Sequence, residues 1–195
     1  MNKNGMLLVG IVASAGCGGG GHYLRWNPTP AATAMNGKVV IAVSDKREEK
    51  KGGAHPEQVG LQTGSFGIPA AIRLKGSETV SGSVQDLLTQ AAASTGLGTV
   101  APGQEASATG KIVAEVQEMW CTGYNPVYKA NIVVSVGVVD PATGAVRAAA
   151  QPLTASGGGM VCQSIYKKLL NDIYNQATTM FSSSLKQAAQ ASAGQ

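Results

Sequence analysis

The stretch from Ala108 to Thr154 constrains the fold more than any other part of the chain. From Ala108 to Cys121 apolar and polar residues alternate. Ile112, Ala114, Val116 and Trp120 fall on one face, and Lys111, Glu115 and Gln117 on the other. A period of two predicts a strand with one buried face. Glu118 interrupts the apolar face, and a β-bulge at that point would restore the alternation. Thr122-Gly123-Tyr124-Asn125-Pro126 reads as a turn. Val127 to Val139 is the returning strand, with Ala130, Ile132, Val134, Val136 and Val138 on one face. Asp140-Pro141-Ala142-Thr143-Gly144 is a second turn, and Ala145 to Thr154 a third strand. Three strands joined this way form a meander, and its apolar face must be covered.

Two segments supply the cover. Ser83-Val84-Gln85-Asp86 resembles a capping box, with Asp86 where Glu is usual. Val84, Leu87, Leu88 and Ala91 follow at helical spacing, and Gly96 or Gly98 provides the stop. After Ser156-Gly157-Gly158-Gly159 a long helix is expected from about Val161 past Leu185. Its apolar stripe is Ile165, Leu169, Ile173, Ala177, Met180 and Phe181. Upstream, Lys38 to Ser44 is a β-branched run ended by Asp45 and reads as a mostly buried strand. Residues 46–66 read as a long polar loop with at most a short strand near Val59-Leu61, and Ile68 to Leu74 as an edge strand because of Pro69. The expected fold is therefore α+β: a mostly antiparallel sheet, three-strand meander plus N-terminal strand, covered on one face by a capped helix and a long C-terminal helix. With only two Phe and two Trp in 195 residues, its core must rest on Val, Ile, Leu and Ala.

The chemistry-bearing residues are few. His22 and His55 are the two histidines. Neither stands at zinc-ligand spacing from a cysteine. No Gly-x-Ser-x-Gly elbow and no phosphate-binding loop is present. Asp45, His55 and Glu57 on the long loop form the best remaining catalytic set, and a carboxylate at a strand end is ordinarily a turn residue. No catalytic residue, metal site or cofactor is expected, and the chain is read as no enzyme. The net charge of +4 is mild. The dense run Asp45-Lys46-Arg47-Glu48-Glu49-Lys50-Lys51 mixes signs and reads as a solvated loop. Nucleic-acid binding would need a clustered basic face with aromatics among it, so nucleic acid is not an expected partner.

The first residues carry a different message. Lys3 precedes the uncharged run Met6-Leu7-Leu8-Val9-Gly10-Ile11-Val12-Ala13, and then come Ser14-Ala15-Gly16-Cys17. A basic start, an apolar stretch too short to cross a bilayer and small residues at its end make a secretory signal. The cysteine after the small residues resembles the lipobox of bacterial lipoproteins, with Ser14 where Leu is usual. That resemblance implies cleavage before Cys17 and lipid on Cys17, hence a membrane partner through the anchor. By the same analogy Gly18, rather than Asp, implies sorting to the outer membrane, facing the periplasm. If Cys17 is acylated, Cys121 and Cys162 remain as a pair in an oxidising compartment. We read them as a disulfide, two buried free thiols being the alternative. The expected organisation is a signal peptide over 1–16, a lipidated cysteine with a Gly/Pro-rich tether over 17–36, one domain over 37–188 and a frayed tail over 189–195. Tyr23 and Trp26 in the tether could sit at the headgroup level or dock on the domain.

The order of signal, tether, strand, long loop, capped helix, meander and C-terminal helix resembles the YajG-type outer-membrane lipoproteins. The matching features are Ser14-Ala15-Gly16-Cys17, the strand Val39 to Ser44 with Asp45-Lys46-Arg47 behind it, the helix from Ser83 and the strand Val127 to Val139. The resemblance implies a membrane-anchored, non-enzymatic envelope lipoprotein, an accessory or partner-binding subunit of an envelope assembly. It carries over no functional residue except Cys17. The other reading is a periplasmic carrier of lipid or glycan. It rests on the small residues Ala114, Ala130, Gly137 and Ala148 to Ala150, which could leave room beneath the long helix.

Overall fold

The computed structural model describes residues 22–24, 37–63, 67–75, 78–101, 103–124 and 126–193, without the side chains of 22–24 and 184–193. The expected signal peptide, Cys17, Gly18 and Trp26 lie outside these residues. The chain runs β1 (His22–Leu24), β2 (Gly37–Asp45), β3 (Gln58–Thr63), β4 (Pro69–Leu74), α1 (Val80–Ser94), β5 (Leu97–Thr99), β6 (Gly110–Tyr124), β7 (Val127–Val139), β8 (Val146–Gly159) and α2 (Cys162–Ala193). The helix thus continues into the stretch expected to fray.

All eight strands form one sheet built on β6. Along one edge β6 pairs antiparallel with β7, and β7 with β8. This is the meander. The opposite edge holds two strands in series. β2 pairs parallel with residues 110–116 of β6, and β3 pairs parallel with residues 121–124. Beyond them lie β5, parallel to β2, and β4, antiparallel to β3. The sheet is therefore mixed, and the expectation of a mostly antiparallel sheet is corrected. The cause is the crossover through α1, which returns the chain to run alongside β2. β1 pairs parallel with β4. Part of the expected tether is thus a strand, and β4 has a neighbour on both sides. Pro69 is tolerated because it is the first residue of its strand.

Both helices cover the same face and share one core with it. α1 buries Val80, Val84, Leu87, Leu88, Ala91 and Ala92. It begins a turn before the expected capping box. The N-cap is Thr79, whose hydroxyl accepts from the Gly82 amide at 3.1 Å, and the buried stripe already includes Val80. α2 buries the expected stripe from Ile165 to Phe181 and adds Tyr166 and Leu170. Of the small residues expected beneath the long helix, Ala149 and Ala150 are exposed instead and Ala148 is half-buried, and those that do lie under the helices are taken up by close packing. Ala114 and Ala130 are buried, and a Cβ on Gly157 would touch the Leu169 side chain at 3.4 Å.

The bulge expected near Glu118 is present. Val116 pairs with Val134 and Glu118 with Val133, which leaves Gln117 as the extra residue. The inward set therefore changes from even to odd numbers. Ile112, Ala114 and Val116 point into the core, and so do Met119 and Cys121. Trp120, expected on the apolar face, lies on the opposite one, only partly buried.

Candidate functional site

Because Gln117 shifts the alternation, Cys121 faces the helices. Cys162 opens α2, whose start lies beside the end of β8. The two sulfurs are bonded, with Cα atoms 6.3 Å apart and a separation of 41 positions in sequence. Both residues are buried, so the bridge pins the first turn of α2 to the central strand from inside the core.

The three residues of the best catalytic set are not brought to a common purpose. The Asp45 carboxylate is held by Arg47 at 2.8 Å. Glu57 faces Arg73 at 3.5 Å. His55 is exposed in a turn. Among the described residues no group of three or more His, Cys, Asp or Glu could hold a metal ion, and no helix is long and apolar enough to cross a membrane.

What the run from Asp45 to Lys51 builds instead is a plug. β2 leaves β6 at Asp45 and β3 joins it only near Gly60, so the edge of β6 between them lacks a strand. Lys46 donates its amide to Val116 O at 2.9 Å. Arg47 then turns inward, its side chain fully buried. Its Nη1 donates to Gln58 O at 2.6 Å and to Met119 O at 3.4 Å, and its Nη2 to Gly52 O at 3.2 Å. One guanidinium thus satisfies carbonyls from β6, β3 and the intervening loop that a missing strand would leave bare. Lys51 adds an ion pair to Glu118 at the bulge, 3.5 Å. The expectation of a fully solvated loop is corrected at this residue. A mixed charge run has no periodicity that could single out Arg47.

Two surfaces of the described residues bear on binding. The sheet face away from the helices carries Glu115, Gln117, Lys129 and Asn131 exposed. It holds a shallow depression of about 150 Å³ lined by Glu118, Asn131, Val133, Thr154 and Ser156. The second surface is one end of the sheet. There β3, β6 and β8 finish and β4, β7 and α2 begin. Its exposed side chains include Ile68 (71%), Tyr124 (68%), Val127 (62%) and Met160 (72%).

The architecture is that of an α+β domain with a forked mixed sheet and both helices on one face. No family model matches the sequence, and no curated protein matches it. Among solved structures the chain is similar to protein XCC0632 from Xanthomonas campestris, described under the family name DUF330. The two share 12% identity and a TM-score of 0.54 over 88% of this chain and 97% of that one. It is also similar to a minor lipoprotein from Acinetobacter baumannii, with 11% identity and a TM-score of 0.42 over 75% of this chain and 92% of the other. The first likeness is one of fold.

Proposed function

We propose that the protein is a lipid-anchored component of the bacterial outer membrane that faces the periplasm and binds another envelope protein, without catalysis of its own. The observation that carries the reading is the run Met6 to Ala13 followed by Ser14-Ala15-Gly16-Cys17. Acyl chains on the Cys17 thiol and on its new amino group supply more than the single chain that gives only marginal anchoring. The buried Cys121–Cys162 bridge suits an oxidising compartment. A protein partner is favoured over a small ligand because the space between sheet and helices is filled by side chains, and the two concavities of the described surface, about 400 Å³ at the start of α1 and about 150 Å³ on the open sheet face, lie open to solvent.

The test is the intact mass of the full chain made in a Gram-negative host. The expected mass is that of residues 17–195 plus three acyl chains and a glyceryl group, less two hydrogens for the bridge. An unlipidated chain would sink the anchored reading. For the partner, the Cys17→Ser variant should fold, yet lose the envelope crosslinks that the lipidated protein forms. Crosslinks unchanged by the loss of lipid would count against a role that depends on tethering.

A further inference from the structure

The exposed apolar side chains are not scattered. Of the eight large ones exposed among the described residues, Leu61, Ile68, Tyr124, Val127, Met160 and Val161 lie at or next to one end of the sheet, and only Val113 and Val146 lie elsewhere. The register makes this one surface. Thr63 pairs with Tyr124, Tyr124 with Val127, Thr63 with Pro69, and Tyr128 with Gly159. Four strand-to-strand steps from β4 to β8 span about 19 Å, so these residues form a continuous rim rather than isolated contacts.

Among the described residues at this end the charged side chains are lysines. Lys129 on β7 and Lys167 and Lys168 in the second turn of α2 are exposed there. No Asp or Glu occurs within residues 61–63, 67–69, 122–124, 126–129 or 157–168. The chain has 11 acidic residues in all, so every one of them lies outside these stretches. Aliphatic and aromatic tips with lysines behind them suit the boundary of a bilayer with anionic headgroups.

The N-terminal strand sets the distance between this end and the proposed anchor. β1 runs parallel to β4, so His22 is at the β1 end nearer the rim. Cys17 precedes His22 by five residues, and five residues reach at most about 18 Å. A lipid on Cys17 therefore holds this edge of the domain within that distance of the bilayer.

We propose that this end of the sheet rests on the membrane, with Ile68, Tyr124, Val127 and Met160 entering the headgroup layer and Lys129, Lys167 and Lys168 facing anionic lipid phosphate. This deepens the anchored reading and rests on it for the short link to the bilayer. The strands then stand along the membrane normal and the open sheet face looks sideways, where a neighbouring protein can reach it.

The experiment uses the full lipidated chain in vesicles of phosphatidylethanolamine and phosphatidylglycerol. A nitroxide is attached at Met160→Cys and, as reference, at Val146→Cys, which is equally exposed but lies at the β8 end away from the rim. Relaxation by oxygen against relaxation by a water-soluble nickel complex reports depth. The oxygen-to-nickel ratio should be several-fold higher at 160 than at 146. It should fall toward the value at 146 when Lys129, Lys167 and Lys168 are changed to Gln, or when phosphatidylcholine replaces phosphatidylglycerol. Equal, water-like ratios at both positions in protein that stays with the vesicles would overturn the docking and leave the anchor standing. Protein that does not stay with the vesicles would overturn the anchored reading itself. A label at 160 that is shielded without vesicles, increasingly so with protein concentration, would mean that a second copy covers the rim, and would also overturn the docking.

Discussion

The guanidinium of Arg47 grips the carboxylate of Asp45, two residues before it, through three hydrogen bonds. Nε donates to Oδ1 at 2.9 Å and to Oδ2 at 3.2 Å, and Nη2 donates to Oδ2 at 2.8 Å. Asp45 keeps 16% of its side chain exposed, while that of Arg47 has none. The carboxylate thus compensates a cation that has left water altogether, and frees its remaining N–H groups for the carbonyls around the β2–β3 gap.

Removing the carboxylate should therefore cost more than removing a surface ion pair. Asp45→Ala leaves a buried, unpaired guanidinium, and a loss of about 3 kcal/mol is expected. Arg47→Lys should not rescue the site, because an ammonium cannot reproduce the planar fork. Urea denaturation of the three proteins checks both points. A shift at Asp45→Ala no larger than the roughly 0.5 kcal/mol of an ordinary surface change would show that the plug contributes little.

The Cys121–Cys162 bridge closes a loop of about 40 residues, which corresponds to roughly 3–4 kcal/mol in the chain-entropy model. Both cysteines are buried, so a mild reductant should reach them only when the first turn of α2 opens. In the lipidated protein, whose Cys17 thiol is capped, alkylation followed by mass measurement should find no free thiol in the native state after brief exposure to dithiothreitol, and two after the same treatment in denaturant. Prompt labelling under native conditions would contradict the packing described here.

Gly60 lies against the backbone of β6, paired with Cys121. A Cβ at this position would collide with the carbonyl oxygen of Cys121, a backbone atom that cannot swing aside. Gly60→Ala should lower stability by about 1–3 kcal/mol through overpacking, and the loss should be read in the melting temperature. Gly67→Ala has nothing within 4 Å of its Cβ but a φ of +75°, so it tests backbone strain alone and should cost about 1 kcal/mol.

Tyr166 on α2 is fully buried, and its hydroxyl donates to Val59 O on β3. Burial, first of all, raises its pKa well above the ordinary tyrosine value, and the nearby Glu118 charge adds to this while Arg47 opposes it. The unfolded chain therefore loses this proton first. The stabilising effect is complete below about pH 10, the unfolded value, and is lost as pH rises above it toward the folded pKa. A fall in the urea midpoint above pH 10 is expected, and Tyr166→Phe should reduce that fall at some cost at neutral pH. A variant that keeps the full alkaline fall would assign it to other groups.

Much of the architecture was legible along the chain because it depends on local periodicity. The alternation of residues 108–154 specified the meander, and the spacing from Ile165 to Phe181 specified the covering helix. Glu118 on an otherwise apolar face marked the bulge. Other features turn on partners far away in sequence. The parallel pairing of β2 and β3 with β6 depends on where α1 returns the chain, and no local signal carries that. The helix α1 starts at Thr79 rather than at the Ser83 box because the earlier start buries Val80, a gain that depends on the sheet beneath it.

The sequence by itself determined that the chain has one aliphatic core and a lipobox-like cysteine, since each follows from composition or from neighbours within a few positions. Only the tertiary structure decided what Arg47, Cys121 and the scattered apolar tips mean. Arg47 is buried because a sheet edge left without a strand needs its carbonyls satisfied. Cys121 meets Cys162 because one extra residue, Gln117, reverses the side that follows it. Ile68, the Tyr124–Val127 turn and Met160 are far apart in sequence and become one rim because strand register aligns the ends of β4, β6, β7 and β8, and register is set by long-range hydrogen bonding that a linear pattern does not contain.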